Sequence, residues 1–218
     1  MPRPLTALAI GLAAVLAAPN AHAGKDSTVQ IDGDLDSVVI VGDATTAATG
    51  FLSDAKTNVG VIDDARIRGS ASQSVIVGDV ATIASSGFSN AETGIGVVKN
   101  STISGNLDQT IIVGSSVTRA HSFAADAVTK IGTIEDARVT GSFDQTIVVG
   151  EVVTDAGHIG KSARTCIGTV RGRTVGGGSR SVRAGNVGTK SKSGSFLGIN
   201  TGSIGASSKE TLIDERGC

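Results

Sequence analysis

Residues 108–114 read DQTIIVG, and the segment that begins 36 positions later, residues 144–150, reads DQTIVVG. Four copies of the same template, spanning residues 30–173, align at this period without a gap. A fixed period of this length is the sequence signature of a repeat architecture, in which each copy forms one supersecondary unit. The repeat therefore takes precedence over local propensity in predicting the fold.

Each copy consists of short β-branched segments bounded by glycine, a pattern that predicts strands joined by turns. One copy is too small to bury its own apolar face, but stacked copies share a core in which equivalent residues lie above one another. We therefore predict an all-β fold, a β-solenoid (β-helix) built from 36-residue tandem repeats. A β-prism or propeller-like closure is the alternative. A repeat of this length also fits two coils of about eighteen residues, which would give about ten coils and a rod about 50 Å long.

The first residues have the pattern of a signal peptide. Arg3 precedes a short apolar run, and Ala21-His22-Ala23 fits the small-residue motif at which signal peptidase cleaves. Residues 1–23 are therefore predicted to be removed. No later segment is long and apolar enough to span a membrane. We expect an exported protein, extracellular or at the cell surface, with the periplasm as the alternative.

The remainder of the chain divides into two parts. Residues 24–173 are predicted to form the four-repeat β-solenoid. Residues 174–218 are predicted to be a degraded fifth repeat and a basic, Gly/Ser-rich C-terminal tail, whose register slips by about one residue near Ala184.

An apolar column is expected on the outer face of the solenoid. Successive side chains of a strand point to opposite faces, so Ile40 points outward if Val39 and Val41 point into the core. Exposed apolar residues in a row mark a contact surface, and we predict self-association through this stripe. The alternative is that the C-terminal tail of the same chain covers it. The stripe consists of Ile40, Ile76, Ile112 and Val148.

Charge is strongly divided along the chain, although the formal net charge is only −1. Residues 24–155 contain 8 Lys/Arg and 17 Asp/Glu, giving 8 − 17 = −9, and residues 156–209 contain 9 Lys/Arg and no acid, giving +9. In a linear solenoid the sequence position maps onto the axial position, so one end is acidic and the other basic. Such a rod is predicted to attract copies of itself head to tail.

The basic end also suggests a different partner. Lysines and arginines spread among glycine and serine can bind a polyanion such as an anionic glycan or lipopolysaccharide. A third interpretation of the basic segment is a well-solvated tail without a partner. No aromatic residue interleaves the basic ones, which argues against specific nucleic-acid binding. The polyanion-binding candidates are Lys161, Arg164, Arg171, Arg173, Arg180, Arg183, Lys190 and Lys192.

Two cysteines, Cys166 and Cys218, are present. In an exported protein an even pair predicts one disulfide, and the alternative is that Cys218 joins two chains. Because Cys166 precedes the inward Ile167, it is expected to point outward and to be reachable.

No catalytic or metal-binding constellation is evident, so we predict neither an enzyme nor a metal or cofactor site. His121 and His158 are not accompanied by acids or cysteines at metal-ligand spacing. An active site is normally singular, whereas an acid that recurs once per repeat shapes a turn or accepts hydrogen bonds from backbone donors. The recurring acids are Asp36, Asp108 and Asp144.

The tandem copies DQTIIVG and DQTIVVG resemble the repeats of exported bacterial β-solenoid proteins, including haemagglutinin-type adhesins and curli-like fibre subunits. The resemblance covers approximately residues 30–208. It implies a structural, adhesive or matrix role. Together with the repeat and the divided charge, it leads us to expect a secreted structural or adhesive repeat protein that self-assembles at the cell surface or in an extracellular (biofilm) matrix. The alternative is a monomeric binding module for an anionic glycan or surface polymer.

Overall fold

The computed structural model describes residues 29–50, 54–85, 88, 90–121, 126–157, 162–171 and 178–189, together with the backbone of residues 21–23, 190–191 and 197–201. Every regular element among these residues is a β-strand. The strands are β1 (Ala21–Ala23), β2 (Val29–Ile31), β3 (Leu35–Val41), β4 (Ala44–Ala48), β5 (Ala55–Val59), β6 (Ile62–Asp63), β7 (Ala65–Ile67), β8 (Ala71–Ala84), β9 (Ala91–Ile95), β10 (Val98–Lys99), β11 (Thr102–Ile103), β12 (Leu107–Ala120), β13 (Ala127–Ile131), β14 (Ile134–Glu135), β15 (Arg138–Val139), β16 (Phe143–Ala156), β17 (Ala163–Ile167), β18 (Val170–Arg171), β19 (Arg180–Ser191) and β20 (Leu197–Thr201).

Four parallel sheets run along the axis of the molecule. Sheet 1 contains β2, β7, β11 and β15; sheet 2 contains β3 and β4, β8, β12, β16 and β19; sheet 3 contains β5, β9, β13, β17 and β20; and sheet 4 contains β6, β10, β14 and β18. Each repeat contributes one strand to each sheet in turn, as β7, β8, β9 and β10 do. The molecule is therefore a β-solenoid, and the predicted fold class is confirmed.

One repeat forms one coil. Ile111 of β12 pairs with Val75 of β8 on one side and with Ile147 of β16 on the other, at a spacing of 36 residues in both directions. The expectation of two eighteen-residue coils is therefore wrong, because both halves of a repeat are needed to close one circuit. Among the described residues, sheets 2 and 3 have five levels and sheets 1 and 4 have four. This part of the solenoid is therefore about 24 Å long at about 4.8 Å per coil, and not about 50 Å.

A glycine bends the long strand of sheet 2 without ending it. In β8 the inward and outward positions alternate up to Val77, change phase at Gly78 and resume with the buried Val80. A Cβ atom on Gly78 would lie 2.8 Å from the carbonyl oxygen of Gly42 in the coil below, so only glycine permits this close approach. The glycine that ends each β-branched run therefore forms a corner between two straight segments of one strand.

Two left-handed residues bracket sheet 4 in each of the first three coils. In the second coil they are Gly96, with φ of 59°, and Asn100, with φ of 49°. The two-residue strand β10 lies between them. Glycine adopts this backbone conformation without steric cost, and asparagine and aspartate tolerate it better than other residues. These positions turn the chain sharply enough to begin the next coil.

The interior is filled by three apolar clusters. The first combines β-branched residues of sheets 2 and 3, such as Val75, Ile95 and Ile111. The second is built around sheets 1 and 4. The third consists of alanines, including Ala84 and Ala91, which let sheet 3 approach the second half of sheet 2 closely. Small and β-branched side chains therefore fill a thin core that has no room for many aromatic rings.

Polar residues also form continuous columns inside the solenoid. The hydroxyl of Thr93 bonds to that of Thr82 in the same coil at 2.8 Å and to that of Thr118 in the next coil at 2.7 Å. Buried polar groups are tolerated when every member has a partner. This threonine column links nine hydroxyls, those of Thr46, Thr57, Thr82, Thr93, Thr118, Thr129, Thr154, Thr165 and Thr189. A shorter glutamine column contains Gln73, Gln109 and Gln145.

The fifth coil stacks on the fourth in a shifted register. Arg180 pairs with Gln145, a spacing of 35 residues, and Leu197 pairs with Ala163, a spacing of 34 residues. The shift in sheet 2 is already present at Arg180, so its expected position near Ala184 is wrong. The fifth copy is one residue shorter than the others before β19 begins, and β19 then keeps one register throughout its length.

The predicted signal peptide contributes one short strand. β1 pairs antiparallel with β2 and thereby covers the first strand of sheet 1. Among the described residues there is no helix that is long and apolar enough to cross a membrane.

Candidate functional site

The apolar stripe lies on the outer face of sheet 2. Its four members are paired in register through consecutive coils and point outward, as the alternation of Val39, Ile40 and Val41 predicts. Their exposed fractions are 61% for Ile40, 37% for Ile76, 41% for Ile112 and 38% for Val148. The exposed Arg183 follows Val148 in the same column and ends the stripe. Residues 202–218, the alternative cover for the stripe, lie outside the described residues.

Acidic side chains border the stripe on both sides. Four positions before the stripe lies a column of Asp36, Ser72, Asp108 and Asp144, and three positions after it lies a column of Asp43, Asp79, Ser115 and Glu151. Two stripes placed face to face would bring like charges together, which opposes the contact at low salt. The stripe is therefore better suited to lateral contact once these carboxylates are screened.

The two ends of the solenoid leave the core incomplete. Column A consists of Val41, Val77, Val113, Val149 and Ala184, and column B consists of Ala44, Val80, Ser116, Val152 and Val187. Every interior member of both columns is 2% exposed or less. The terminal members are only partly buried, namely Val41 and Ala44 in the first coil and Ala184 and Val187 in the fifth.

The formal charge is concentrated in the sequence segments of the two terminal coils. The sequence segments that correspond to the five coils are 29–64, 65–100, 101–136, 137–172 and 173–208, and their Lys/Arg minus Asp/Glu counts are 1 − 7 = −6, 3 − 2 = +1, 2 − 4 = −2, 4 − 3 = +1 and 5 − 0 = +5. The middle of the rod is almost neutral. The predicted polarity is thus a property of the ends and not a gradient along the rod.

Part of the acidic charge of the first coil is satisfied by the second coil. Asp32 forms an ion pair with Arg68 at 3.1 Å, and Asp63 forms one with Lys99 at 2.8 Å. The hydrogen bond from Lys99 to Asp63 raises the pKa of that lysine. Other carboxylates in this coil, such as Asp43, accept backbone N–H groups from the coil above.

The basic candidates do not form one patch. Arg171 lies on sheet 4 and is exposed, Arg164 lies on sheet 3 and is partly buried, and Arg183 lies on sheet 2. Arg171 continues a column of alternating charge above Glu135. Lys161, Arg173 and Lys192 lie outside the described residues, and only the backbone of Lys190 is described.

Arg180 is not a surface binding residue, which corrects its assignment. The shifted register places it above Gln145 in the inward glutamine column. Its guanidinium donates to the carbonyl oxygen of Gly168, and burial lowers its pKa. Because the Arg180 guanidinium is partly buried and bonded to the backbone, it stabilises the fifth coil and is poorly placed to bind a polyanion.

Cys166 is buried, whereas the sequence pattern predicts an outward and reachable thiol. Its column also contains Gly94 and Lys130. The left-handed glycine corner that follows brings the chain back over this position, since a Cβ on Gly94 would lie 3.6 Å from the side chain of Val97. Strand alternation alone therefore does not predict exposure here. Cys218 lies outside the described residues, so the disulfide stays a prediction.

The remaining polar candidates have structural partners. The Nε2 atom of His121 lies 3.4 Å from Asp155, and His158 lies outside the described residues. Asp144 accepts hydrogen bonds from the backbone N–H and the hydroxyl of Ser179 at 2.9 and 2.6 Å. Within the described ranges no three His, Cys, Asp or Glu residues are placed to hold a metal ion.

Comparisons with protein-family models, with curated proteins and with solved structures found no match for this chain. Its architecture is therefore known from its own strand pairing. The partly open columns A and B were not predicted from the sequence. They could have been found by aligning the fifth copy at a spacing of 35 residues, which matches Val187 to Val152 of column B.

Proposed function

We propose that this protein is an exported structural or adhesive repeat protein that self-assembles at the cell surface or in an extracellular matrix. The observation that carries the proposal is the partial exposure of the core at both ends of the solenoid, in columns A and B. Repeat proteins that remain monomeric cover their terminal coils with polar capping units. Among the described residues after Ala23 no such cap is present, and open sheet edges favour pairing with another chain.

The charge of the ends supports the same proposal. A surplus of acids in the first coil and of bases in the fifth gives the two ends opposite potentials. Opposite charges steer two copies together and are screened by salt. Assembly should therefore be fastest at low ionic strength.

The test uses residues 24–218, the chain expected after removal of the signal peptide. Light scattering and negative-stain electron microscopy at low and high salt should show end-to-end assemblies that become shorter as the salt concentration increases. Replacement of Arg183 and Lys190 by Glu should slow assembly at low salt. Replacement of Arg119 and Arg138 by Glu, exposed sites in the third and fourth coils, reverses the same number of charges; it is the matched control and should change little. A monomer under every condition would contradict the proposal.

A monomeric binding module for an anionic glycan or lipopolysaccharide is the second candidate. It is supported by Arg171 and Arg183, which are both exposed. Their positions on different sheets favour a long polymer over a small ligand. This function predicts salt-sensitive retention on heparin or lipopolysaccharide matrices by a protein that stays monomeric.

A further inference from the structure

The incomplete columns at the two ends match each other. In column A, Ala184 ends the fifth coil and Val41 begins the first; in column B, Val187 ends the fifth coil and Ala44 begins the first. In each pair a smaller residue faces a larger one. A second copy placed at the end of the first would therefore complete both columns without two large side chains competing for the same space.

The register of such a contact follows from the coils themselves. β19 lies 35 residues after β16, and β16 lies three repeats of 36 residues after the first coil. Continuing the stack by one coil therefore places Val41 of a second copy over Ala184, and Ala44 over Val187. On the outer surface, the same register places Asp43 of the second copy over Asn186. In the same register, Thr46 of the second copy would lie over Thr189 in sheet 2.

Charge selects the orientation. Contact between two first coils would bring together two segments with a formal net charge of −6 each. Contact between two fifth coils would bring together two segments with a formal net charge of +5 each. Only first coil against fifth coil is complementary. This contact is heterologous, and because the stacked coils translate along one axis it does not close into a ring.

We infer that the fifth coil of one molecule docks on the first coil of the next in this register, so that columns A and B continue across the junction of a head-to-tail filament. The inference rests on the proposed self-assembly and specifies its partner, a second copy of this chain, and its polarity. The axial repeat is five coils, about 24 Å.

Cysteine cross-linking tests the register. Neighbouring parallel strands place partner Cα atoms about 4.8 Å apart, within the range that a disulfide spans. A double variant with Asp43→Cys and Asn186→Cys changes two exposed residues that are predicted partners across the junction. At low salt with mild oxidant, it should form a covalent ladder of dimers, trimers and longer chains. The unmodified protein under the same oxidant controls for links through Cys166 or Cys218.

The single variants distinguish the orientations. Asp43→Cys alone and Asn186→Cys alone should give no more cross-linking than the unmodified protein, whereas a mixture of the two should give dimers and nothing longer. Dimers of either single variant would show contact between like ends and overturn the inference. If the double variant forms filaments but does not cross-link, the proposed register is wrong and self-assembly is still supported. Absence of filaments in every variant would overturn the proposed function as well.

Discussion

The Nε2 atom of Gln109 donates to the Oε1 atom of Gln73, one coil below, at 2.6 Å. The same nitrogen donates to the carbonyl oxygen of Gly96 at 2.6 Å, so the amide also ties sheet 2 to the left-handed corner before sheet 4. Gln145 repeats both contacts one coil higher. The glutamine column thus fixes the axial register and the corner geometry with one side chain per coil.

Removal of the central amide should destabilise the fold. Gln109→Leu conserves approximate volume but leaves the Oε1 atom of Gln73 and the Gly96 carbonyl without this donor in a buried site. A buried acceptor without a partner costs about 1–3 kcal/mol, so we expect the free energy of unfolding to fall by about 2–4 kcal/mol. Urea denaturation measures the loss. Gln30→Leu, which removes a solvent-exposed bond to Asp32, is the control and should change stability by less than about 0.5 kcal/mol.

The stability lost on replacing a threonine of the column by valine should depend on its position in the column. Thr118 is bonded to both Thr93 and Thr129, so Thr118→Val leaves two buried hydroxyls with one partner fewer. We expect a loss of about 1–3 kcal/mol in the free energy of unfolding. Thr46→Val removes one bond at the partly buried end of the column and should cost clearly less. Equal losses at the two sites would contradict a cooperative column.

The corner glycines should not be equivalent. Gly132 has φ of 59°, and a Cβ there would clash with the side chain of Ile147. Gly132→Ala should therefore reduce the free energy of unfolding by at least about 1–2 kcal/mol. Gly42 has open space around its Cβ position and no left-handed backbone, so Gly42→Ala should be nearly neutral. Thermal unfolding of the two variants checks the difference.

The fold was predictable because of a simple physical fact. Equivalent residues such as Ile111 and Ile147 must share an environment when copies stack, so the 36-residue period specified the solenoid and its outward stripe. The number of coils per repeat was not predictable, because each half of a repeat has its own β-branched segments. Only the pairing of Ile111 with Val75 and Ile147 decides it.

The errors at individual sites have local causes. At a spacing of 36 residues Arg180 aligns with the outward Asp144, but one missing residue moves it to the inward column of Gln145. Cys166 was expected to be exposed from strand alternation, but it lies two residues before the left-handed Gly168 and is buried. A one-residue slip reverses the face of every later side chain in a strand.

Acid should loosen the fifth coil first. Hydrogen bonds from the hydroxyl and the backbone N–H of Ser179 hold the pKa of Asp144 below its ordinary value of 3.8. A carboxyl whose pKa is depressed by folding stabilises the native state above its unfolded pKa, and this contribution is lost as pH falls through the folded value. The protection factors of β19 amides against hydrogen exchange should therefore fall below about pH 4. In Asp144→Asn, which cannot ionise, this loss of protection should be much reduced while Asp108→Asn retains it.

Cryo-electron microscopy of residues 24–218 at low salt shows directly whether copies of this chain stack end to end as a continuous β-solenoid of one polarity. We expect unbranched filaments in which strands lie perpendicular to the axis, with subunits repeating every five coils, about 24 Å, in one direction. Discrete monomers at every salt concentration, or filaments whose subunits alternate in direction, would contradict it.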